Sequence, residues 1–342
     1  MSYSEERERG RFVSIALNLQ ALGAVVGGII PLIINRDKAV SAGVPAAVYI
    51  IFIVMDFVGA AMSQLLTSPK KVIRSDGTNV AEPRGRTFMQ ELKGVYDALN
   101  DWKIWILLPG FLPGQVYLVY CGSVNVYINS LRARSLLSFC AVTIQMFAGF
   151  GLQYILDHPK LTRKNRALAG LLTVGIPLMA AWIWECVRVR DYDRSNPPAD
   201  LIDWSDPEFA PGFVLFVLNW TASALWQYIM LYFLGCFTND PRKAANNAGV
   251  FRCFVSIGEA VGFGVDSRQV SYLVQAAVIL ALYFAGFCAM GYLAIFAIEE
   301  SRYFQEDEVT IPVHVKQEYE AETEVPRGEK NDASHTGSSY IS

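Results

Sequence analysis

The apolar residues of the chain are grouped in blocks of about 20 residues, with short charged segments between them. A helix of that length spans the ~30 Å hydrocarbon core of a bilayer. We predict eight membrane-spanning helices, at approximately 12–34, 44–67, 104–127, 135–156, 167–187, 212–237, 245–265 and 272–297. The pattern therefore predicts an all-α, multi-pass membrane protein.

The composition agrees with this pattern. Of the 342 residues, 53% are hydrophobic and 18% are charged, against roughly 25% charged residues in soluble domains. The length alone would allow two soluble domains, but the apolar blocks exclude that organisation. The first ten residues are too charged, and the first block is too long, for a cleavable signal peptide, so none is expected.

The distribution of Lys and Arg predicts an orientation. With the N-terminus inside, the inside segments hold 20 basic residues and the outside loops hold 8. Basic residues favour the cytoplasmic side, so we expect both termini in the cytoplasm. The sequence does not indicate which cellular membrane the protein occupies. No basic stripe lies on a soluble domain, so nucleic-acid binding is not expected.

Four segments follow from the blocks and the charges. They are two spans in 1–67, a central cytoplasmic loop in 68–103, six spans in 104–297 and an acidic tail in 298–342, which we predict to be disordered. Within the central loop, apolar residues share one helical face, at Phe88, Leu92, Val95, Tyr96 and Leu99. This amphipathic helix either lies on the membrane surface or packs on the ends of the spans.

Two acidic residues lie inside apolar blocks. Asp56 is at the middle of its span, where a carboxylate costs at least ~2.5 kcal/mol unless it is protonated or faces a polar interior. Glu259 shares a span with Arg252, about two turns away. Each acid is a candidate for a proton or substrate pathway. The alternative for Asp56 is a buried, hydrogen-bonded helix contact or a protonated group without a role, and the alternative for Glu259 is a cap at the end of a span.

The third span contains two Pro-Gly pairs, Pro109-Gly110 and Pro113-Gly114. Proline removes a backbone donor and breaks or kinks a helix. Freed backbone groups are tolerated in a membrane only against protein or a water-filled cavity, and broken helices often accompany transport pathways. A kink that serves packing alone is the alternative.

Amide side chains within the spans complete the candidate pathway, and they are Gln115, Asn125, Asn219 and Gln227. Such amides bind substrate or form hydrogen bonds between helices, and the second use is the commoner.

Several classes of protein are not expected. The six cysteines form no CxxC pair and the three histidines lie outside the spans, so we expect neither a metal site nor a cofactor. No GxxxxGK[ST] loop for a nucleotide occurs, and no cluster suited to catalysis lies in the spans. We therefore expect a protein that is not an enzyme.

Several stretches resemble the uncoordinated-93-like family, in the fungal branch of the major facilitator superfamily. The strongest is PKKVIRSDGTNV at 69–80, with Arg74, Asp76, Gly77 and Thr78. The others are the first span, the pair Arg132 and Arg134, Leu156-Asp157 with the basic residues up to Arg166-Ala167, Trp226-Gln227, Gly235, Thr238-Asn239-Asp240 and SIGEA at 256–260. The resemblance covers roughly residues 7–300.

This resemblance implies a fold of twelve helices in two halves, of which the chain matches the last eight. The first four would be missing, so the chain would be a truncated form or would not transport alone. The implied function is a secondary transporter of an unknown small solute. The alternative is a non-transporting regulatory or trafficking partner of another membrane protein. Besides the lipid bilayer, the expected partners are accordingly a solute or a membrane protein.

Overall fold

The computed structural model describes residues 8–37, 46–66, 71, 87–298, 311 and 316–317. Within these residues the fold is all-α, apart from one isolated bridge between Asn129 and Ile202. Eight helical units in this part of the chain are long and apolar enough to cross a membrane. The eight predicted spans are thereby confirmed, and the chain is a multi-pass membrane protein.

The helices, in chain order, are α1 (Arg9–Asn35), α2 (Ala46–Ser63), α3 (Phe88–Leu99), α4 (Trp102–Phe111), α5 (Val116–Ile128), α6 (Leu131–Leu156), α7 (Arg163–Val189), α8 (Phe209–Cys236), α9 (Pro241–Ser267) and α10 (Tyr272–Phe296). A 3₁₀ turn at Leu112–Gly114 separates α4 from α5, and these two form one span.

Polar side chains set the starts of five of these ten helices. A side-chain oxygen just before the first turn accepts a backbone N–H and replaces the missing intrahelical partner. The residues that do this are Asp101 for α4, Ser130 for α6, Thr162 for α7, Asp240 for α9 and Ser271 for α10.

Several helices extend beyond the predicted apolar blocks. The predicted span 135–156 begins at Leu131 in the structure, so Arg132 and Arg134 lie within its first turn rather than before it. A helix needs satisfied backbone groups, not apolar side chains, at its ends. Hydropathy therefore locates the membrane core of a helix better than its termini.

The helices α4–α10 form a bundle around one core of large side chains, which includes Trp182, Trp226, Tyr120 and Tyr283. We call this unit the six-span bundle. Helix α1 packs along α6 and α8 of the bundle, with Ser14, Asn18 and Ala21 buried in the contact.

Helix α2 contacts α1 but almost nothing else among the described residues. Only Val48 of this helix is buried, and Phe57, Met62 and most of its other apolar side chains are exposed.

Helix α3 is the predicted amphipathic helix. It packs on α9 through Gly94, which lies against Asn246, and through the buried Ala98. Its apolar face, with Phe88, Leu92 and Tyr96, is exposed. The helix thus packs on a span through one face, and the apolar face that was predicted to contact lipid is exposed.

Candidate functional site

The span formed by α4 and α5 is interrupted at its middle. The helix runs through Pro109, and the interruption comes at the second Pro-Gly pair, in the 3₁₀ turn Leu112–Gly114. The backbone carbonyls around it are satisfied by protein. Trp226 Nε1 donates to Gly110 O at 2.9 Å, and the Tyr283 hydroxyl donates to Pro113 O at 3.0 Å.

Helix α9 packs closely against this interruption at Gly258. A Cβ atom at Gly258 would overlap Leu112 O, which belongs to backbone that cannot yield easily. The close approach of α9 to the turn therefore requires glycine at this position.

We expect Gly258→Ala to destabilise the protein by about 1–3 kcal/mol, as over-packing in a tight core does. The matched control is Gly264→Ala, since Gly264 lies on the same helix with nothing within 4 Å of its added Cβ. That change should be neutral or stabilise by up to about 1 kcal/mol. Thermal unfolding in detergent measures both, and equal midpoints for the two variants would contradict the packing.

A cavity of about 170 Å³ lies beside the interruption. Its lining residues come from four helices or their junctions, and they are Leu17, Gln20, Ala21, Ala24, Gln115, Tyr117, Leu118, Val142, Gln145, Trp220, Ala224, Gln227 and Tyr228. These residues lie near the middle of their spans, in α1, α4–α5, α6 and α8. We call this cavity the glutamine cavity. Gln115 directly follows the 3₁₀ turn, so the broken span directs an amide into the cavity.

Hydrogen bonds orient part of this lining. Trp220 Nε1 donates to Gln145 Oε1 at 2.9 Å, and Arg252 Nη1 donates to Gln227 Oε1 at 3.2 Å. Both amide oxygens are thereby engaged, so both NH₂ groups are held in a fixed orientation.

A second, wider cavity of about 750 Å³ lies at the end of the bundle where α5 ends and α10 begins. We name this end the Asp203 side and the opposite end, where α1 begins, the Arg9 side. Leu118 lines both cavities. The wider cavity therefore leads towards the glutamine cavity, with Leu118 between them.

Polar groups cluster at the wall of the wider cavity. Asp266 accepts from Ser123 Oγ at 2.9 Å and from Arg194 Nη1 at 2.7 Å. The Arg194 guanidinium lies 4.4 Å from the centre of the Tyr272 ring. These contacts attach the loop after α7 to α9 and α10.

The Arg9 side is closed by the first turn of α1. The amides of Gly10 and Arg11 donate to the Asp157 carboxylate at 2.7 and 2.5 Å. A carboxylate is favoured there by the unpaired N–H groups and by the helix dipole. A Cβ atom at Gly10 would lie 2.6 Å from Leu156 Cβ, so the contact requires glycine.

Two buried arginines reinforce this closure. Arg9 of α1 and Arg163 of α7 both donate to Gly235 O and to Asn239 Oδ1, at the end of α8. Two cations from different helices thus share the same acceptors at the Arg9 side.

A buried acid inside the six-span bundle was missed by the sequence analysis. Glu185 is 1% exposed. Its Oε1 accepts from Arg188 at 2.7 Å and from the Tyr120 hydroxyl at 3.1 Å, and its Oε2 accepts from Asn219 at 3.3 Å. The ion pair lies within α7, and the same carboxylate joins this helix to α5 and α8 through Tyr120 and Asn219. Glu185 does not line the glutamine cavity.

The structure brings only two of the predicted pathway residues together. Gln115 and Gln227 both line the glutamine cavity, whereas Asn219 contacts Glu185. Asn125 is buried elsewhere and accepts from Asn129 Nδ2 at 2.9 Å.

The two predicted acids lie outside the cavity. Glu259 is half-buried on α9, and Asp56 is exposed on α2. Neither lines the glutamine cavity.

The arginine pair lies on the Asp203 side. Arg132 forms an ion pair with Asp203 and lies over the Trp204 ring, while Arg134 is half-buried nearby along α6. The Arg132 guanidinium lowers the pKa of Asp203 to about 2, so this attachment is retained until the pH falls towards that value.

The predicted loop residues Arg74, Asp76, Gly77 and Thr78 lie outside the described residues, as does most of the acidic tail.

Comparisons with known proteins identify relatives along most of the chain. An uncharacterised membrane protein of Schizosaccharomyces pombe is 31% identical over 307 residues, which is 88% of this chain and 62% of that protein. Notoamide biosynthesis cluster protein O' of Aspergillus versicolor is 25% identical over 288 residues, 84% of this chain and 62% of that protein. UNC93-like protein 1 of Arabidopsis thaliana is 25% identical over 277 residues, 80% of this chain and 60% of that protein.

The chain spans less than two thirds of the length of these curated relatives. No protein-family model matches it, and no solved structure matches it. The chain is similar to UNC93-like (uncoordinated-93-like) proteins and to a membrane protein of fission yeast.

Proposed function

We propose that the chain belongs to the UNC93-like branch of the major facilitator superfamily and forms the pathway of a secondary transporter for a small solute. The glutamine cavity carries this proposal. It lies at the middle of four spans, between α1 and the six-span bundle, and a broken helix directs Gln115 into it. Substrate sites of such transporters lie near the bilayer midplane, beside discontinuous helices.

In this proposal, α1 and α2 correspond to the last two helices of the first half, and the six-span bundle is the second half. The described residues then adopt a state closed at the Arg9 side, through Asp157 and the shared acceptors of Arg9 and Arg163. The opposite end is wider, with the larger cavity reaching Leu118. Transport requires α1 to move against the bundle so that the Arg9 side opens. The excess of basic residues favours the Arg9 side as the cytoplasmic side.

A cysteine at position 115 tests this proposal. In a cysteine-free version of the full chain in sealed membrane vesicles, we expect Gln115→Cys to react with a membrane-impermeant thiol reagent from both sides. The reaction from the Arg9 side should be the slower of the two, because that side is closed in the structure.

The matched control is Asn125→Cys in the same span, since Asn125 is 4% exposed and does not line the cavity. It should stay unreactive from both sides. Reaction of Gln115→Cys from one side only, or from neither, would contradict alternating access.

A second candidate function is that of a non-transporting partner of another membrane protein. The observation in its favour is α2, whose apolar side chains are exposed and whose Asp56 is exposed at mid-span. A carboxylate at that depth is costly against lipid, so a polar group on another transmembrane segment would stabilise it.

Purification in a mild detergent separates the two candidates. The partner function predicts a membrane protein that co-purifies at constant ratio and is lost in Asp56→Leu, whereas Glu91→Leu on α3 retains it. Recovery of the same proteins with Asp56→Leu would contradict a partner bound through α2.

A further inference from the structure

Four glutamine side chains meet in the glutamine cavity, and each comes from a different part of the fold. Gln20 lies on α1, Gln115 follows the 3₁₀ turn, Gln145 lies on α6 and Gln227 lies on α8. An amide in a membrane span usually bridges two helices. Here the side-chain amides of Gln20 and Gln115 have no hydrogen-bond partner among the described residues. Helix bridging therefore does not account for the set.

The four amides offer both donors and acceptors. Each glutamine carries two N–H donors and one acceptor oxygen. The oxygens of Gln145 and Gln227 are occupied by Trp220 and Arg252. The Gln145 side chain also contacts the Tyr228 hydroxyl, so of these two residues Gln227 retains an NH₂ group to donate. Gln20 and Gln115 retain both functions. A ligand with several hydroxyl groups matches this lining, because a hydroxyl also donates and accepts.

The lining contains no Asp, Glu, Lys or Arg. A charged solute would lose its hydration there without gaining a counter-charge, which is costly in a low-dielectric interior. Arg252 reaches the cavity only through Gln227 Oε1, and Glu259 lies two turns along the same helix. Arg252 therefore contacts the amide shell rather than the ligand space.

Aromatic rings and aliphatic side chains form the rest of the wall. Tyr117 and Trp220 meet edge-to-face with ring centres 5.5 Å apart, and Tyr228 is fixed by its hydrogen bond to Asn18 Oδ1 at 2.8 Å. Rigid aromatic faces bind apolar C–H surfaces. The volume of about 170 Å³ lies below the roughly 300–1,000 Å³ of pockets for drug-sized ligands.

From these observations we infer that the glutamine cavity binds a small, uncharged, polyhydroxylated solute, such as a polyol or a monosaccharide. The amides bind its hydroxyl groups, and the aromatic rings contact its C–H face. This inference rests on the proposed function and specifies its substrate class.

Equilibrium dialysis of the purified full chain in lipid nanodiscs tests the class. The probes are radiolabelled glycerol, myo-inositol and D-glucose, with D-glucosamine and D-gluconate as charged analogues of the last. We expect saturable binding of at least one neutral probe and at least tenfold weaker binding of both charged analogues. Gln115→Leu should weaken the binding of the neutral probe about tenfold, which corresponds to the loss of one hydrogen bond of ~1.4 kcal/mol.

Gln153→Leu is the matched control, because Gln153 lies on α6 but does not line the cavity. It should bind as the unchanged chain does. Binding of a charged analogue as tight as that of glucose would overturn the substrate class, and so would the absence of Gln115-dependent binding of every neutral probe. If Gln115→Cys still reacts from both sides in that event, the transport proposal stands and only the substrate class fails.

Discussion

Replacing Glu185 with leucine should destabilise the protein by about 3–5 kcal/mol, the cost of removing one partner from a buried ion pair. Arg188 would remain with 18% of its side chain exposed and without its carboxylate partner. The Tyr120 hydroxyl and the Asn219 amide would also lose their acceptors. Unfolding of the protein in mixed micelles with increasing denaturing detergent measures the change.

The double variant Glu185→Leu with Arg188→Leu separates charge pairing from packing. Removing both charges leaves no unpaired ion, so the double variant should recover much of the stability that the single variant loses. Equal losses in the single and double variants would contradict the assignment of the cost to an unpaired buried charge.

Replacing Asp157 with alanine should release the first turn of α1. The Gly10 and Arg11 amides would lose a shared charged acceptor, and hydrogen bonds to charged groups contribute about 1.5–3 kcal/mol each. We expect amide hydrogen exchange in this turn to rise by about 10- to 100-fold. Mass spectrometry of peptides from the start of α1 measures that rise.

Asp157→Asn is the matched variant, because it keeps an acceptor oxygen and removes the charge. Burial raises the pKa of the Asp157 carboxyl above its usual range, because it outweighs the two amide hydrogen bonds, which lower that pKa. The closed contact therefore gains stability as the pH falls through that range and loses it as the pH rises. The introduced asparagine keeps one acceptor oxygen, but its NH₂ group faces the N–H of the other amide. Exchange should therefore lie between that of the unchanged chain and that of Asp157→Ala, and the protection should no longer depend on the titration of residue 157. Exchange as fast as in the alanine variant would contradict this account.

The span count and the all-α fold could be predicted from the sequence because hydropathy over about 20 residues reports burial in a bilayer directly. The position of the broken helix followed equally from the chemistry of proline. The structure adds that Pro109 is accommodated within α4 and that the turn comes at Pro113 and Gly114.

The lining of the cavity could not be predicted to the same extent. Gln115 and Gln227 were singled out, but Gln20 and Gln145 are amides in long apolar blocks, and nothing local distinguishes a lining amide from a bridging one. Which helix faces meet is decided by packing between α1, α6 and α8, and that information is non-local.

The charged residues illustrate the same limit. Asp56 is conspicuous at the centre of its block, yet it is exposed on α2 and outside the cavity. Glu185 lies close to the end of its span, where an acid is unremarkable, yet its side chain is buried in the six-span bundle. Its one sequence signal is the spacing to Arg188, three residues on, which places both on one helical face.

The proposed transport requires α1 to move against the six-span bundle and to open the Arg9 side. The most direct measurement is the distance between spin labels at Arg11→Cys on α1 and Lys243→Cys on α9, both exposed positions on that side, in a cysteine-free chain in nanodiscs. The account predicts two distance populations, of which the longer grows when Asp157→Ala is added. A single distance that Asp157→Ala leaves unchanged would contradict it.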